Sequence, residues 1–125
     1  MHPEQILQVN LMAWIEHNYP KVIDDVYHFA NERKCSIQQG RLLKKMGVRP
    51  GVADVFISVS RGTFKGAWIE LKEGKGKPSP AQKEFLARMT VNGYFCACVT
   101  GLEAAQVVIK TYLTTDECSH GRALC

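Results

Sequence analysis

The stretch that most constrains this chain is Ala67-Trp68-Ile69-Glu70-Leu71-Lys72-Glu73, taken with the loop and helix start directly after it. Alternation along an extended chain sends Ile69 and Leu71 to one face and Glu70 and Lys72 to the other, with the two charged side chains roughly 6.6 Å apart along the backbone. Such a strand anchors itself through its apolar face and presents two opposite charges from its other face. Gly74-Lys75-Gly76-Lys77-Pro78 then reads as a flexible basic loop. Ser79-Pro80-Ala81-Gln82 is a strong helix start: a serine cap, proline in the first turn, and glutamine where it can reciprocate the cap. That helix is predicted to run to about Val91, where Asn92-Gly93 interrupts it, and Tyr94 to Val99 returns as a short strand.

The rest of the chain supplies the partners such a strand needs. Glu4 to Tyr19 reads as a helix with Leu7, Leu11, Trp14 and Ile15 in one apolar stripe, bounded by Pro20. Asp25 to Phe29 is β-rich and precedes a polar Asn31-Glu32-Arg33-Lys34 loop. Ser36 to Met46 is predicted as a second helix despite Gly40, before Gly47 and Pro50-Gly51 break the chain. A strand is predicted from Asp54 to Val59, and Ser60-Arg61-Gly62-Thr63 reads as a hairpin connection. Thr100-Gly101-Leu102-Glu103 repeats the capping-box pattern and starts a last helix toward Leu113. The expected order is α-β-α-β-β-β-α-β-α. A mixed sheet with helices on its faces is the natural packing for it, an α/β domain over residues 1–113 with a flexible tail over 114–125.

Composition narrows the class without choosing within it. The chain has 125 residues, 46% of them apolar, ordinary for one globular domain with a real core. No stretch approaches the roughly eighteen continuous apolar residues of a membrane span. The N-terminus lacks the basic and apolar regions of a secretory signal, so a cytoplasmic location is expected. Sixteen Lys and Arg against twelve Asp and Glu give a net charge of +4, which suits an anionic partner without selecting one. Five cysteines, an odd number, are expected to be reduced. Cys96 and Cys98, two apart, share one face and read as central-strand residues, not nucleophiles. Cys118, His120 and Cys125 are possible soft ligands, but a zinc site would need a fourth, such as Cys35; a mobile tail is the expectation.

Chemistry concentrates where Gly51-Val52-Ala53-Asp54 meets Ile69-Glu70-Leu71-Lys72. If the two strands are neighbours, the Asp54 carboxylate converges with Glu70. Two hard oxygen donors, with the Leu71 backbone carbonyl as a third, suit Mg²⁺ or Mn²⁺. A metal there can orient water and offset charge developing on phosphate oxygens. Lys72 lies close enough to position that water or to stabilise the phosphorane, by electrostatics at least as readily as by general-base action. The bland reading is three solvated charges at strand ends.

These residues resemble the PD-(D/E)xK nuclease superfamily, and more closely its VRR-NUC (virus-type replication-repair nuclease) branch. The resemblance runs through Met46-Gly47-Val48-Arg49-Pro50-Gly51-Val52-Ala53-Asp54-Val55-Phe56 and Trp68-Ile69-Glu70-Leu71-Lys72. It continues through Glu73-Gly74-Lys75-Gly76-Lys77-Pro78-Ser79-Pro80-Ala81-Gln82-Lys83-Glu84-Phe85 and ends in Gly93-Tyr94-Phe95. It implies a restriction-endonuclease-like core, metal-binding roles for Asp54 and Glu70, and a catalytic role for Lys72. It also implies an acidic partner in Glu4 and a supporting active-site role for Gln82. The one departure is Ala53, where proline commonly precedes the metal-binding aspartate; its absence puts local rigidity in question. The activity implied is metal-dependent endonucleolytic hydrolysis of DNA. For a stand-alone form, the resemblance also implies selectivity for branched DNA or four-way (Holliday) junctions and action as a homodimer, since two symmetric incisions need two centres.

Each supporting residue also has an ordinary alternative. Glu4 shares the side of the first helix that carries Leu7 and Leu11, yet a first-turn acid is favoured by the helix dipole alone. Gln82 turns toward the packed face with Phe85 and Leu86, yet capping Ser79 would explain it. Lys75 and Lys77 read as phosphate contacts in a glycine-rich loop, with Arg41, Lys44 and Lys45 widening the basic surface or forming a solvated helix face. Trp14, Trp68 and Tyr94 are expected to pack; His28 could contact a phosphate at the strand edge, but an exposed or hydrogen-bonded histidine is the expectation. The alternative from a different class is an inactive nucleic-acid-binding module on the nuclease fold; a blander one is a domain with no nucleic-acid role.

Overall fold

In the computed structural model, which describes residues 1–30 and 36–116, the amphipathic strand lies inside a four-stranded sheet. Helix α1 (Pro3–Asn18) is followed by a short 3-10 turn (Ile23–Asp25), strand β1 (Val26–His28) and helix α2 (Ile37–Lys45). Strands β2 (Val55–Ile57) and β3 (Ala67–Lys72), helix α3 (Pro80–Val91), strand β4 (Phe95–Thr100) and helix α4 (Leu102–Leu113) complete it. The sheet order is β1-β2-β3-β4. β1 and β3 both run antiparallel to β2, while β3 and β4 are parallel and joined through α3. The fold is therefore α/β, with a central mixed sheet flanked by helices.

Alternation in β3 sorts the two faces. Ala67, Ile69 and Leu71, with Val55 and Ile57 from β2, meet Leu7, Leu11 and Ile15 of α1 and Ala105, Ile109, Tyr112 and Leu113 of α4 in one apolar cluster. On the other face Trp68 packs edge-on against Phe85 of α3, with ring centroids 4.9 Å apart, and lies 4.5 Å from the Phe56 ring. Trp14 and Tyr94 also pack against aromatic neighbours, Tyr19 and Phe56.

Three local expectations are corrected. Two strands, not three, lie between α2 and α3; the connection around Ser60–Thr63 makes only an isolated bridge between Arg61 and Phe64. β4 is an edge strand, so Cys96 and Cys98 are half-buried and exposed thiols of an edge strand, not a central one. The start of α4 has no side-chain cap. Gly101, at φ 87°, is its N-cap residue, and the Gly101 N–H donates to the Lys72 carbonyl at 2.9 Å. Backbone pairing with β3 thus takes the place of the expected capping box.

Thr114, Thr115 and Asp116, within the expected tail, are described: the Asp116 carbonyl accepts the Gly62 N–H at 2.7 Å. The 31–34 loop and the ligand candidates Cys35, Cys118, His120 and Cys125 lie outside the described residues. Among the described residues no helix is long and apolar enough to cross a membrane.

Candidate metal centre

Glu70 and Lys72 lie on the α3 side of β3, and both are buried, Glu70 at 1% exposure and Lys72 at 8%. A buried carboxylate and ammonium are expensive unless they meet one another, and here they do: Lys72 Nζ is 3.0 Å from Glu70 Oε2. The same oxygen accepts a hydrogen bond from Gln82 Nε2 at 2.7 Å. Glu70 Oε1 is also buried, and among the described residues it has no hydrogen-bond partner. One oxygen of the carboxylate is therefore held by two donors while the other is left for something else.

Gln82 both caps α3 and reaches Glu70. Ser79 Oγ accepts the Gln82 N–H at 3.2 Å, and Gln82 Oε1 accepts the Ser79 N–H at 2.8 Å. That reciprocal cap consumes the amide oxygen and leaves the amide nitrogen free to turn toward Glu70. The residue that starts α3 is the one that orients the β3 carboxylate.

Asp54 immediately precedes β2 and is half-buried. Its Oδ2 accepts the Leu71 N–H at 2.8 Å, so the carboxylate lies against β3 beside Glu70. Its carbonyl accepts the Phe29 N–H at 2.8 Å and sits 3.0 Å from His28 Nδ1. Ahead of it Ala53 is buried, and Gly51 at φ 81° runs so close to Ala81 and Gln82 at the start of α3 that a Cβ there would collide with their backbone. Asp54 and the turn ahead of it, where proline is missing, are thus in contact with β1, β3 and α3.

The electrostatics stem from crowding two carboxylates out of water. Burial pushes the Glu70 carboxyl up to about 7, the neighbouring Asp54 charge adds to the rise, and Lys72 opposes it. Burial also raises Asp54, against the Leu71 hydrogen bond and the charges of Lys72 and His28. Burial by itself would lower the Lys72 ammonium, but the Glu70 hydrogen bond and charge, then Asp54 and Glu4, outweigh it and hold Lys72 above the ordinary lysine range.

The other expected residues surround this pair at different distances. Glu4 is exposed on α1, and its charge reaches Lys72. Among the described residues no three His, Cys, Asp or Glu side chains form a group that could hold a metal, so Glu4 stands apart from Asp54 and Glu70 in this arrangement. Lys75 and Lys77 are exposed in the loop between β3 and α3. Cys98 is the register partner of Glu70 and shares its face; burial raises its thiol, as does the Glu70 charge. Its proximity to the site, like the contact of His28 with Asp54, depends on strand register that no local sequence signal reveals.

The donor set fits a hard divalent cation in chemical type. Two carboxylates lie side by side, one buried oxygen is unpartnered, and Lys72 and Gln82 hold the opposite oxygen in place.

No protein-family model and no curated protein matches the chain. Among solved structures, one described as a "VRR_NUC domain protein" is similar to it, with a TM-score of 0.83 and 26% sequence identity over 95% of this chain and 94% of that one. The mixed sheet with its flanking helices is thus the restriction-endonuclease-like fold of that protein, shared over nearly the full length of both chains.

Proposed function

We propose that the chain is a VRR-NUC-type, Mg²⁺- or Mn²⁺-dependent endonuclease that hydrolyses DNA phosphodiester bonds. The observation that carries this reading is the divided Glu70 carboxylate. Lys72 and Gln82 hold Oε2, while Oε1, beside Asp54, is buried with no hydrogen-bond partner among the described residues. Asp54 and Glu70 would hold the ion. The Leu71 carbonyl would assist, since the N–H and C=O of a strand residue share one edge and its N–H already meets Asp54. Glu4, exposed on α1 with its charge reaching Lys72, would be the further acidic partner. Bound there, the metal supplies a polarised water and a positive charge facing the phosphate.

In the metal-free site the Glu70 hydrogen bond and charge, then the charges of Asp54 and Glu4, favour the Lys72 ammonium. As a cation Lys72 would attract the phosphate and offset charge in the transition state. Gln82 keeps Glu70 in one rotamer. Lys75 and Lys77 offer two solvated cations, on a glycine-rich loop directly after Lys72, to the DNA backbone. Branched DNA, including four-way junctions, is the proposed substrate and a homodimer the proposed acting form. The exposed apolar side chains Leu42 and Met46 of the α2 segment are where an interface would first be sought.

The deciding experiment incubates purified protein with labelled junction, flap and linear duplex, with and without Mn²⁺. Metal-dependent cleavage that favours the junction is expected. Equal cleavage of all three would remove the branch selectivity, and light scattering that finds a monomer making paired cuts would remove the dimer. One observation favours a second reading, an inactive DNA-binding module: among the described residues only two carboxylates are grouped at the site. Salt-sensitive DNA binding with no cleavage in Mg²⁺ or Mn²⁺ would establish that reading instead.

A further inference from the structure

We infer that His28 is a positioning residue for Asp54, acting through the Nδ1–H of its ring on the Asp54 backbone; the inference rests on the proposed metal centre. Asp54 lies one residue before β2, outside the ladder that holds Val55. The direction of its carboxylate therefore depends on what fixes its own peptide. The carboxylate end is held by the Leu71 N–H. The carbonyl end receives the Phe29 N–H at 2.8 Å and His28 Nδ1 at 3.0 Å. A carbonyl oxygen can only accept, so Nδ1 carries the hydrogen, and in the neutral ring Nε2 carries the lone pair.

The histidine's side chain makes little other structural contribution. It is exposed, and among β1 residues it is Val26 that enters the core. A merely structural histidine at that position would be replaceable at small cost. A ring holding the carbonyl of a metal-binding carboxylate is a different matter, because such outer contacts orient the ligand itself. Phe29 and His28 together act from β1, so the ligand is clamped from both neighbouring strands.

The test compares three replacements. In His28→Asn the amide nitrogen takes the place of Nδ1 and keeps the donor; in His28→Gln a donor lies where Nε2 was; in His28→Phe the ring has no donor. Mn²⁺ affinity, measured by calorimetry on the metal alone, is expected to fall about tenfold or more in His28→Phe and His28→Gln and to stay within about threefold in His28→Asn. Turnover is expected to follow the same order through kcat, with KM for DNA unchanged. Nitrogen NMR of the wild-type ring is expected to show the Nδ1–H tautomer.

Wild-type affinity in His28→Phe would overturn the inference. So would rescue by Gln and not Asn, which would place the function at Nε2, or an Nε2–H tautomer. A wild-type chain that binds Mn²⁺ without cleaving DNA would remove the nuclease reading while the affinity series still decides the role of His28. A chain that binds no Mn²⁺ overturns both. Thermal unfolding of each variant, expected to match the wild type, separates loss of positioning from loss of fold.

Discussion

Strand β3 and helix α2 both carry charge and apolar side chains in regular alternation, and the protein uses them in opposite ways. In β3 only Trp68 is not fully buried, and the charges of Glu70 and Lys72 are inside. In α2 nothing is buried: Ile37 and Leu42, with Met46 directly after the helix, face solvent together with Arg41, Lys44 and Lys45. Solvated lysines on a helix cost nothing and imply little. An interior Glu-Lys pair with one unpartnered oxygen opposes stability and calls for a purpose. The two regions show that periodicity identifies an element, whereas only the burial of its charges distinguishes an interior pair from a solvated surface.

The strongest test of that contrast is to remove charge from each side. Asp54→Asn and Glu70→Gln are each expected to lower the cleavage rate by about a thousandfold or more, with weakened Mn²⁺ binding and the fold retained by circular dichroism. Lys44→Ala with Lys45→Ala should change kcat by less than about threefold and act only on DNA affinity at low salt. Unchanged turnover at saturating metal in either carboxylate variant would erase the distinction.

The next effect is on pH. Glu70 has a folded-state value of about 7 against an ordinary 4.5, and Asp54 is raised in the same direction. A raised carboxyl contributes stability that is fully present below its unfolded value and is lost as pH rises through the folded one. The metal-free protein should therefore lose on the order of 3 kcal/mol from Glu70 between about pH 4.5 and somewhat above 7. Mn²⁺ should restore it at the alkaline end, since a cation reverses the penalty on both carboxylates. Denaturant titrations across that window check this, and Glu70→Gln should flatten the slope.

A smaller effect separates two glycines. Gly51 and Gly47 both have positive φ, at 81° and 99°, but a Cβ on Gly51 meets the backbone of Ala81 and Gln82 whereas one on Gly47 meets nothing. Gly51→Ala should cost about 3 kcal/mol, combining a left-handed strain with a forced shift of α3, and should lower turnover by displacing Gln82. Gly47→Ala should cost only about 1 kcal/mol. Equal destabilisation by urea titration would show that the turn before Asp54 does not bear on α3.

The smallest change in the isolated chain is expected at α2 itself. Leu42→Ser with Met46→Ser should alter monomer stability by less than about 0.5 kcal/mol, as exposed positions do. If the apolar face pairs two copies on branched DNA, the same variant should shift the junction-bound mass from dimer to monomer in light scattering.

The sequence by itself determined most of the elements and singled out Asp54, Glu70, Lys72 and Gln82 as residues to look for together. Alternation in Ala67–Lys72, the Ser79-Pro80-Ala81-Gln82 start and the stripe of Leu7, Leu11 and Ile15 are local patterns, and local backbone preference reads them directly. Tertiary structure alone decided how those residues meet. It made β4 an edge strand, started α4 from a backbone bond to Lys72, and left α2 exposed among the described residues. It let one glutamine cap a helix and hold Glu70 at once, and it brought His28 to the Asp54 carbonyl across 26 positions of chain. The reason is physical: periodicity records which side of an element is apolar, but strand register and the sharing of one side chain between two partners are set by distances between segments far apart in the chain.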